Sequence, residues 1–142
     1  MREIIAVSGG FDPLHIGHLR MFEEAATYGR LVVIVNNDHW LHCKKGFVFM
    51  PEMERLEIIR ALYTVHEAFL TSHVNAYGDP SVCTELSLLR PHRFANGGDR
   101  QSFNTPEVDL CNKLGICVMW GVGGFEKVQS SSKLVAAVPQ GM

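Results

Sequence analysis

Two histidines three residues apart, His15 and His18, sit in the stretch Ser-Gly-Gly-Phe-Asp-Pro-Leu-His-Ile-Gly-His over residues 8–18. Side chains at that spacing project from one side of a helical turn, so both imidazoles face the same ligand. The stretch follows an apolar run (Ile4, Ile5, Ala6, Val7) and precedes an amphipathic one (Leu19, Met21, Phe22, Ala25, Ala26). It therefore reads as a turn between a strand's carboxyl end and a helix's start. Such a turn presents backbone N–H groups and the positive end of the helix dipole to a phosphate. Gly9 and Gly10 allow close approach of a ligand to the backbone. Gly17 leaves a bare helix surface on which a base or ribose can lie. Asp12 and Pro13 fit a helix start, Asp as N-cap and Pro at the first helical position. Paired imidazoles above an anion site suit stabilisation of a transferring phosphoryl group, which points to nucleotide chemistry. Metal ligation by the two histidines is disfavoured. His39 and His42 are the only further candidates nearby, and no acidic ligand is spaced with them.

The elements that must position this turn follow from the hydrophobic pattern. Short branched runs predict strands over 4–8, 31–36, 67–71, 93–96 and 116–120. Amphipathic stretches predict helices over 17–28, 51–64, 80–90, 106–114 and a short one from about 131. The continuous Leu-Val-Val-Ile-Val run from residue 31 suits a parallel strand buried on both faces. Strands alternating with helices imply right-handed crossovers and a doubly wound, Rossmann-like three-layer α/β/α fold with a five-stranded parallel sheet. A chain of 142 residues, 46% of them hydrophobic, is enough for one core and no break divides it, so a single domain over 1–142 is expected. In open parallel sheets the ligand crevice lies beyond the strands' carboxyl ends. Three segments fall there: 9–18, Asn96-Gly97-Gly98-Asp99-Arg100, and Gly121-Val122-Gly123-Gly124 leading to Ser130-Ser131-Ser132-Lys133.

The motif from Gly9 to His18 resembles the H-x-G-H signature of the nucleotidyltransferase superfamily. The chain is similar to glycerol-3-phosphate cytidylyltransferases, heptose-1-phosphate adenylyltransferase domains and archaeal-type FAD synthetases. Further elements stand in family order. Lys44 and Lys45 follow the second strand. Pro51-Glu52-Met53-Glu54-Arg55 resembles a P-x-x-x-R segment, and Gly97-Gly98-Asp99 a G-G-D element. Gln129 to Leu134 resembles the final S-[ST]-[ST]-K-[IL] element, with Lys127 the nearest cation before it. The resemblance implies direct in-line attack of an acceptor phosphate on the α-phosphorus of a nucleoside triphosphate, with pyrophosphate leaving. Such a transfer needs positioning and charge neutralisation more than a nucleophile.

The same resemblance implies the roles. His15 and His18 stabilise the transition state, and Lys44 and Lys45, on a mobile loop, bring positive charge. Gly9, Gly10, Phe11, Asp12, Gly17, Gly98, Asp99, Ser130, Ser131 and Ser132 hold the nucleotide. Arg55 and Lys127 serve the acceptor or a phosphate; the alternative for Arg55 is pairing with Glu52 or Glu54. CTP is favoured over ATP by chain length and motif order, with an adenylyltransferase of the heptose-phosphate or FMN type as the alternative. Mg²⁺ is expected through the triphosphate rather than in a protein cage. The acceptor is expected to be a small phosphorylated alcohol or sugar. A homodimer is expected from the relatives, with Tyr63, Phe69 and Leu70 as the apolar contact.

Two other readings compete. An aminoacyl-tRNA synthetase remnant is prompted by the literal His-Ile-Gly-His, but the chain has no room for a tRNA-binding body. A net charge of −2 also offers no basic face for nucleic acid or membrane. The other is a nucleotide-binding module without turnover, which would bind nucleotide yet release no pyrophosphate. Four cysteines without a C-x-x-C pair read as reduced thiols, and the absence of a signal-like or membrane-length apolar run suggests the cytoplasm.

Overall fold

The computed structural model describes residues 2–74, 79–97, 105–124 and 130–138. In chain order its elements are β1 (Ile4–Gly9), α1 (Ile16–Ala25), β2 (Arg30–Val35), α2 (Asp38–Lys45), α3 (Glu52–Arg60), β3 (Val65–Leu70), α4 (Cys83–Leu89), β4 (Arg93–Gly97), α5 (Pro106–Leu114), β5 (Cys117–Val122) and α6 (Ser131–Ala136). The five strands form one parallel sheet in the order β3-β2-β1-β4-β5. This is the doubly wound Rossmann-like arrangement. The chain winds outward from β1 to β3, then crosses back to β4, so strand order reverses between β1 and β4.

Alternation along the strands divides the core between two layers. Ile5, Val7, Val33 and Val35 pack with Phe22 and Ala25 of α1 and with Leu56 and Ile59 of α3. Ala6, Ile34 and Phe94 pack on the other face with Leu86 of α4 and Cys111 of α5. Truncating Phe22, which is fully buried, should cost about 3–5 kcal/mol. Phe69 packs against the α4/α5 layer and Leu70 against the α1/α3 layer. The expected apolar dimer contact therefore loses two of its three residues to the core, while Tyr63 is 89% exposed.

All five strands stand where the apolar runs predicted them, to within about two residues. Three helices end earlier than their amphipathic patterns do. Helix α1 stops at Ala25 because the chain must turn sharply at Gly29, where a Cβ would lie 2.4 Å from the Glu3 carbonyl oxygen. Helix α2 was not expected at all. It has clear ends, an Asn37 N-cap accepting from the Trp40 N–H at 3.0 Å and Gly46 at φ 81° closing it. Its only buried residue is Leu41, too small an apolar face to register as helical periodicity. Among the described residues, no helix is long and apolar enough to cross a membrane.

Candidate active site

The turn between β1 and α1 is shaped by Phe11, which takes a left-handed backbone conformation at φ 52° and buries its ring. The ring folds back over Gly9, where a Cβ would lie 2.9 Å from Phe11 Cζ. It meets His18 edge-on at 4.8 Å and Phe22 at 5.5 Å. A Cβ on Gly10 would press on Leu41 of α2 at 3.1 Å. The close approaches at Gly9 and Gly10 are thus made by the protein's own side chains, and Phe11 buttresses a histidine from the core instead of presenting its ring to a nucleotide.

Asp12 and Pro13 do not start the helix, which corrects the sequence reading. They are joined by a cis peptide bond, and the Asp12 carboxylate is buried, accepting the Phe49 N–H at 2.7 Å and the Met50 N–H at 2.5 Å. It anchors the α2–α3 loop to the turn. The helix is capped by His15, whose Nδ1 accepts from the Gly17 N–H at 3.1 Å. His18 completes a reciprocal box by accepting the His15 N–H on its own Nδ1 at 3.1 Å. Both rings therefore carry their proton on Nε2. They stack at 3.7 Å with an interplanar angle of 23°.

Burial pushes the His18 pKa down to about 3, with the proximity of His15 and of Lys45 adding to the effect. His18 is a neutral N–H donor at physiological pH. The first turn of α1 carries no acidic residue of its own to offset the positive end of its dipole. A helix start of this kind, with tautomer-fixed imidazoles on it, is arranged to receive an anion.

Lys44 and Lys45 lie in the last turn of α2, not on a mobile loop, where their charge suits the helix's carbonyl end. Lys45 faces the site and helps depress His18; Lys44 is exposed. A cleft of about 370 Å³ opens between Lys45 and Phe47 on one side and Ser131, Ser132, Val135 and Ala136 of α6 on the other, with Asp12 at its base. Ser130 caps α6 by accepting the Lys133 N–H at 3.0 Å. The Ser131 hydroxyl donates to the Pro13 carbonyl at 2.7 Å, which draws α6 onto the turn and engages that hydroxyl's proton. Ser132 is exposed along the cleft. Gly98, Asp99 and Lys127 lie outside the described residues.

Arg55 requires a second correction, because it neither clamps a phosphate nor pairs with Glu52 or Glu54. Its side chain is 0% exposed and donates to the Met50, Gly10 and Asn36 carbonyls at 2.8, 2.8 and 2.6 Å and to Asp38 Oδ1 at 2.6 Å. One guanidinium thus ties the glycine turn, the end of β2, the start of α2 and the loop before α3 into one body. The glycines after β5 are also partly structural. A Cβ on Gly123 would lie 2.8 Å from Met21 Cα, so that glycine seats α1 at the switch in strand order.

Sequence reasoning missed the residues that organise the neighbouring edge of β3. Asn37 donates through Nδ2 to the Thr71 and His73 carbonyls at 3.1 and 2.6 Å. Trp40 Nε1 reaches the Pro80 carbonyl at 2.9 Å. The signal for them was the Asn-Asn-Asp run directly after an apolar strand. No group of three histidine, cysteine or acidic side chains that could hold a metal ion occurs among the described residues.

Comparison with known proteins agrees with this geometry. Residues 6–92 match the family described as Cytidylyltransferase-like. The FAD synthase of Methanothermobacter marburgensis is 29% identical over 142 aligned positions, covering 94% of this chain and 84% of that protein. The FAD synthase of Methanohalophilus mahii is 39% identical, covering 74% and 69%. The bifunctional protein HldE of Methylococcus capsulatus is 33% identical over 68% of this chain, which spans only 20% of HldE. Among solved structures, a lipopolysaccharide core biosynthesis protein from Thermoplasma volcanium superposes with a TM-score of 0.69 at 29% identity, covering 86% of this chain and 97% of that one. With the stacked histidines at the helix start and the reversal of strand order beside them, these matches make the chain a member of the cytidylyltransferase-like family of nucleotidyltransferases.

Proposed function

We infer that this protein transfers the adenylyl group of ATP to the phosphate of a small acceptor, releasing pyrophosphate. The observation that carries the reading is the pair of stacked, tautomer-fixed imidazoles at the start of a helix whose first turn carries no acidic side chain. An acceptor phosphate oxygen attacks the α-phosphorus while the bond from that phosphorus to the α,β-bridging oxygen breaks. The Nε2–H groups of the histidines donate to oxygens on which charge accumulates, His18 as a ring that burial keeps neutral. Lys45 and the backbone at Ser131 and Ser132 receive the departing pyrophosphate.

Magnesium suits the triphosphate rather than a protein cage. Two carboxylates at this edge are engaged, Asp12 by two backbone N–H groups and Asp38 by Arg55. When bound, the ion supplies charge neutralisation on the phosphates.

ATP is preferred here to CTP because the relatives named FAD synthase make a product that contains an adenylyl group. The same names favour an acceptor of the flavin mononucleotide type. Phe47 and Phe49, 41% and 51% exposed on the loop anchored by Asp12, offer a flat apolar rim for such a ring. The HldE match favours a sugar phosphate as the second reading. The test is pyrophosphate release with Mg²⁺ and each of ATP and CTP against flavin mononucleotide, a heptose 1-phosphate and glycerol 3-phosphate. Release from ATP with flavin mononucleotide is expected. Release from CTP alone would replace the adenylyl reading with a cytidylyl one, and release from ATP only with the heptose phosphate would replace the acceptor.

A further inference from the structure

Two adjacent asparagines follow β2, and the fold treats them oppositely. Asn37 uses its whole carboxamide, Oδ1 on the Trp40 N–H and Nδ2 on two carbonyls beyond β3. Asn36 uses none of its own. It is 4% exposed, and its Oδ1 is buried without a hydrogen-bond partner. Yet the residue is held firmly: its N–H donates to the Gly9 carbonyl at 2.9 Å, and its carbonyl accepts from Arg55 Nη1 at 2.6 Å.

An unmet buried amide oxygen carries the full cost of its lost hydration, and a leucine would fill similar space without that cost. Packing therefore does not account for an asparagine here. The position does. Alternation places Asn36 on the same sheet face as Ile34, at the carboxyl edge of β2 and beside the Gly9–Gly10 turn. That is the opposite side of β1 from β4, hence away from the strand-order reversal where the nucleotide belongs.

We propose that Asn36 is a specificity residue for the acceptor, its Oδ1 taking a hydrogen bond from a hydroxyl or N–H group on the acceptor's body. A phosphate cannot serve as that partner, because its ionised oxygens accept and do not donate. A polyol chain or the imide N–H of a flat heterocycle can. The clamped backbone holds the amide in place before the acceptor arrives, so little ordering accompanies binding. The proposal rests on the nucleotidyl-transfer reading above.

The test compares wild type, Asn36→Leu and Asn36→Ala in steady-state pyrophosphate release with ATP and the same acceptors, beside thermal melts without ligand. Both variants should raise the acceptor KM by about tenfold to a hundredfold, the usual result of removing one partner from a buried polar contact, and leave the ATP KM unchanged. Asn36→Leu should melt at or above the wild-type temperature. A lowered melting temperature with an unchanged acceptor KM would mark an amide that serves the fold through an ordered water, and would overturn the proposal. So would equal rises in both KM values, or failure of both variants to fold. Absence of pyrophosphate release by the wild type with every acceptor would overturn the transfer reading and this proposal with it. Turnover in the wild type with unaltered acceptor KM in both variants would overturn the role of Asn36 alone.

Discussion

The two edges of the sheet hold clefts of opposite character. The larger, about 650 Å³, lies at the amino edge among Arg2, Arg30, Tyr63 and His66. The smaller, about 370 Å³, lies at the carboxyl edge between Lys45 and α6. In a parallel α/β sheet the helices finish at the amino edge and start at the carboxyl edge. At the amino edge carbonyls therefore face the hollow, and Arg2 is spent on one of them, donating to Ala26 O at 3.5 Å. At the carboxyl edge α1 begins, with two stacked imidazoles at its N-cap and in its first turn. The direction of the backbone dipoles, rather than the size of the hollow, decides which edge can bind phosphate.

The sharpest way to break this contrast is to compare substitutions at the two edges. Removing one preorganised donor to a developing oxyanion typically costs ~10²–10³ in rate, so His18→Ala and His15→Asn should each lose about that much kcat with nucleotide affinity largely kept. Asparagine at position 15 retains a capping side chain, which separates lost chemistry from a frayed helix. Arg30→Ala at the amino edge should leave kcat unchanged. Equal losses from the two edges would end the distinction.

The next largest effect concerns how the carboxyl edge is held together. Arg55→Met strands three carbonyls and the Asp38 carboxylate, and should destabilise the fold by about 3 kcal/mol or more. For a domain of this size that lowers the melting temperature by on the order of 10 °C. Arg55→Lys should not restore it, since an ammonium cannot reproduce the planar fork. A melting curve for Arg55→Met that overlies the wild type would show that the edge is not organised around this guanidinium.

A smaller effect follows from His18. Its folded pKa, about 3, lies below the ordinary histidine value of 6.5, so between these values the unfolded state binds more protons. The stabilising difference is complete above about pH 6.5 and is lost as pH falls toward 3. Denaturant unfolding from pH 7 to pH 4 should therefore show a steeper loss of stability in the wild type than in His18→Ala. Nitrogen chemical shifts of His18 should stay those of a neutral Nε2–H ring down to pH 5. A His18 that titrates near pH 6.5 would contradict both expectations. The smallest effect belongs to the amino edge again: Tyr63→Ala, at an 89% exposed position, should change stability by no more than about 0.5 kcal/mol.

Much of this was written locally in the chain. Branched apolar runs determined the central strands β1 and β2, because a strand buried on both faces leaves no room for polar alternation. The glycine-rich turn and the spacing of His15 and His18 were enough to expect phosphate chemistry at the start of α1. Even α2 had legible ends in Asn37 and Gly46, although its single buried residue hid it from a search for periodicity.

Long-range bonds were a different matter. That the N-cap of α1 is His15 and not Asp12 depends on the Asp12 carboxylate finding the Phe49 and Met50 N–H groups, 37 and 38 residues away. Arg55 on its helix looks free to meet a phosphate, and only the convergence of Gly10, Asn36 and Met50 carbonyls around it reveals a structural role. Asn36 and Asn37 are the same residue type side by side in the chain. Their separate roles arise because alternation turns them to different surroundings, one lined with backbone partners and one without. Local sequence determines backbone preference and burial pattern through short-range sterics and hydrophobic periodicity. Whether a buried polar group is already satisfied or waits for a ligand depends on which distant atoms the packed sheet brings within 3 Å, and that was decided only by the tertiary structure.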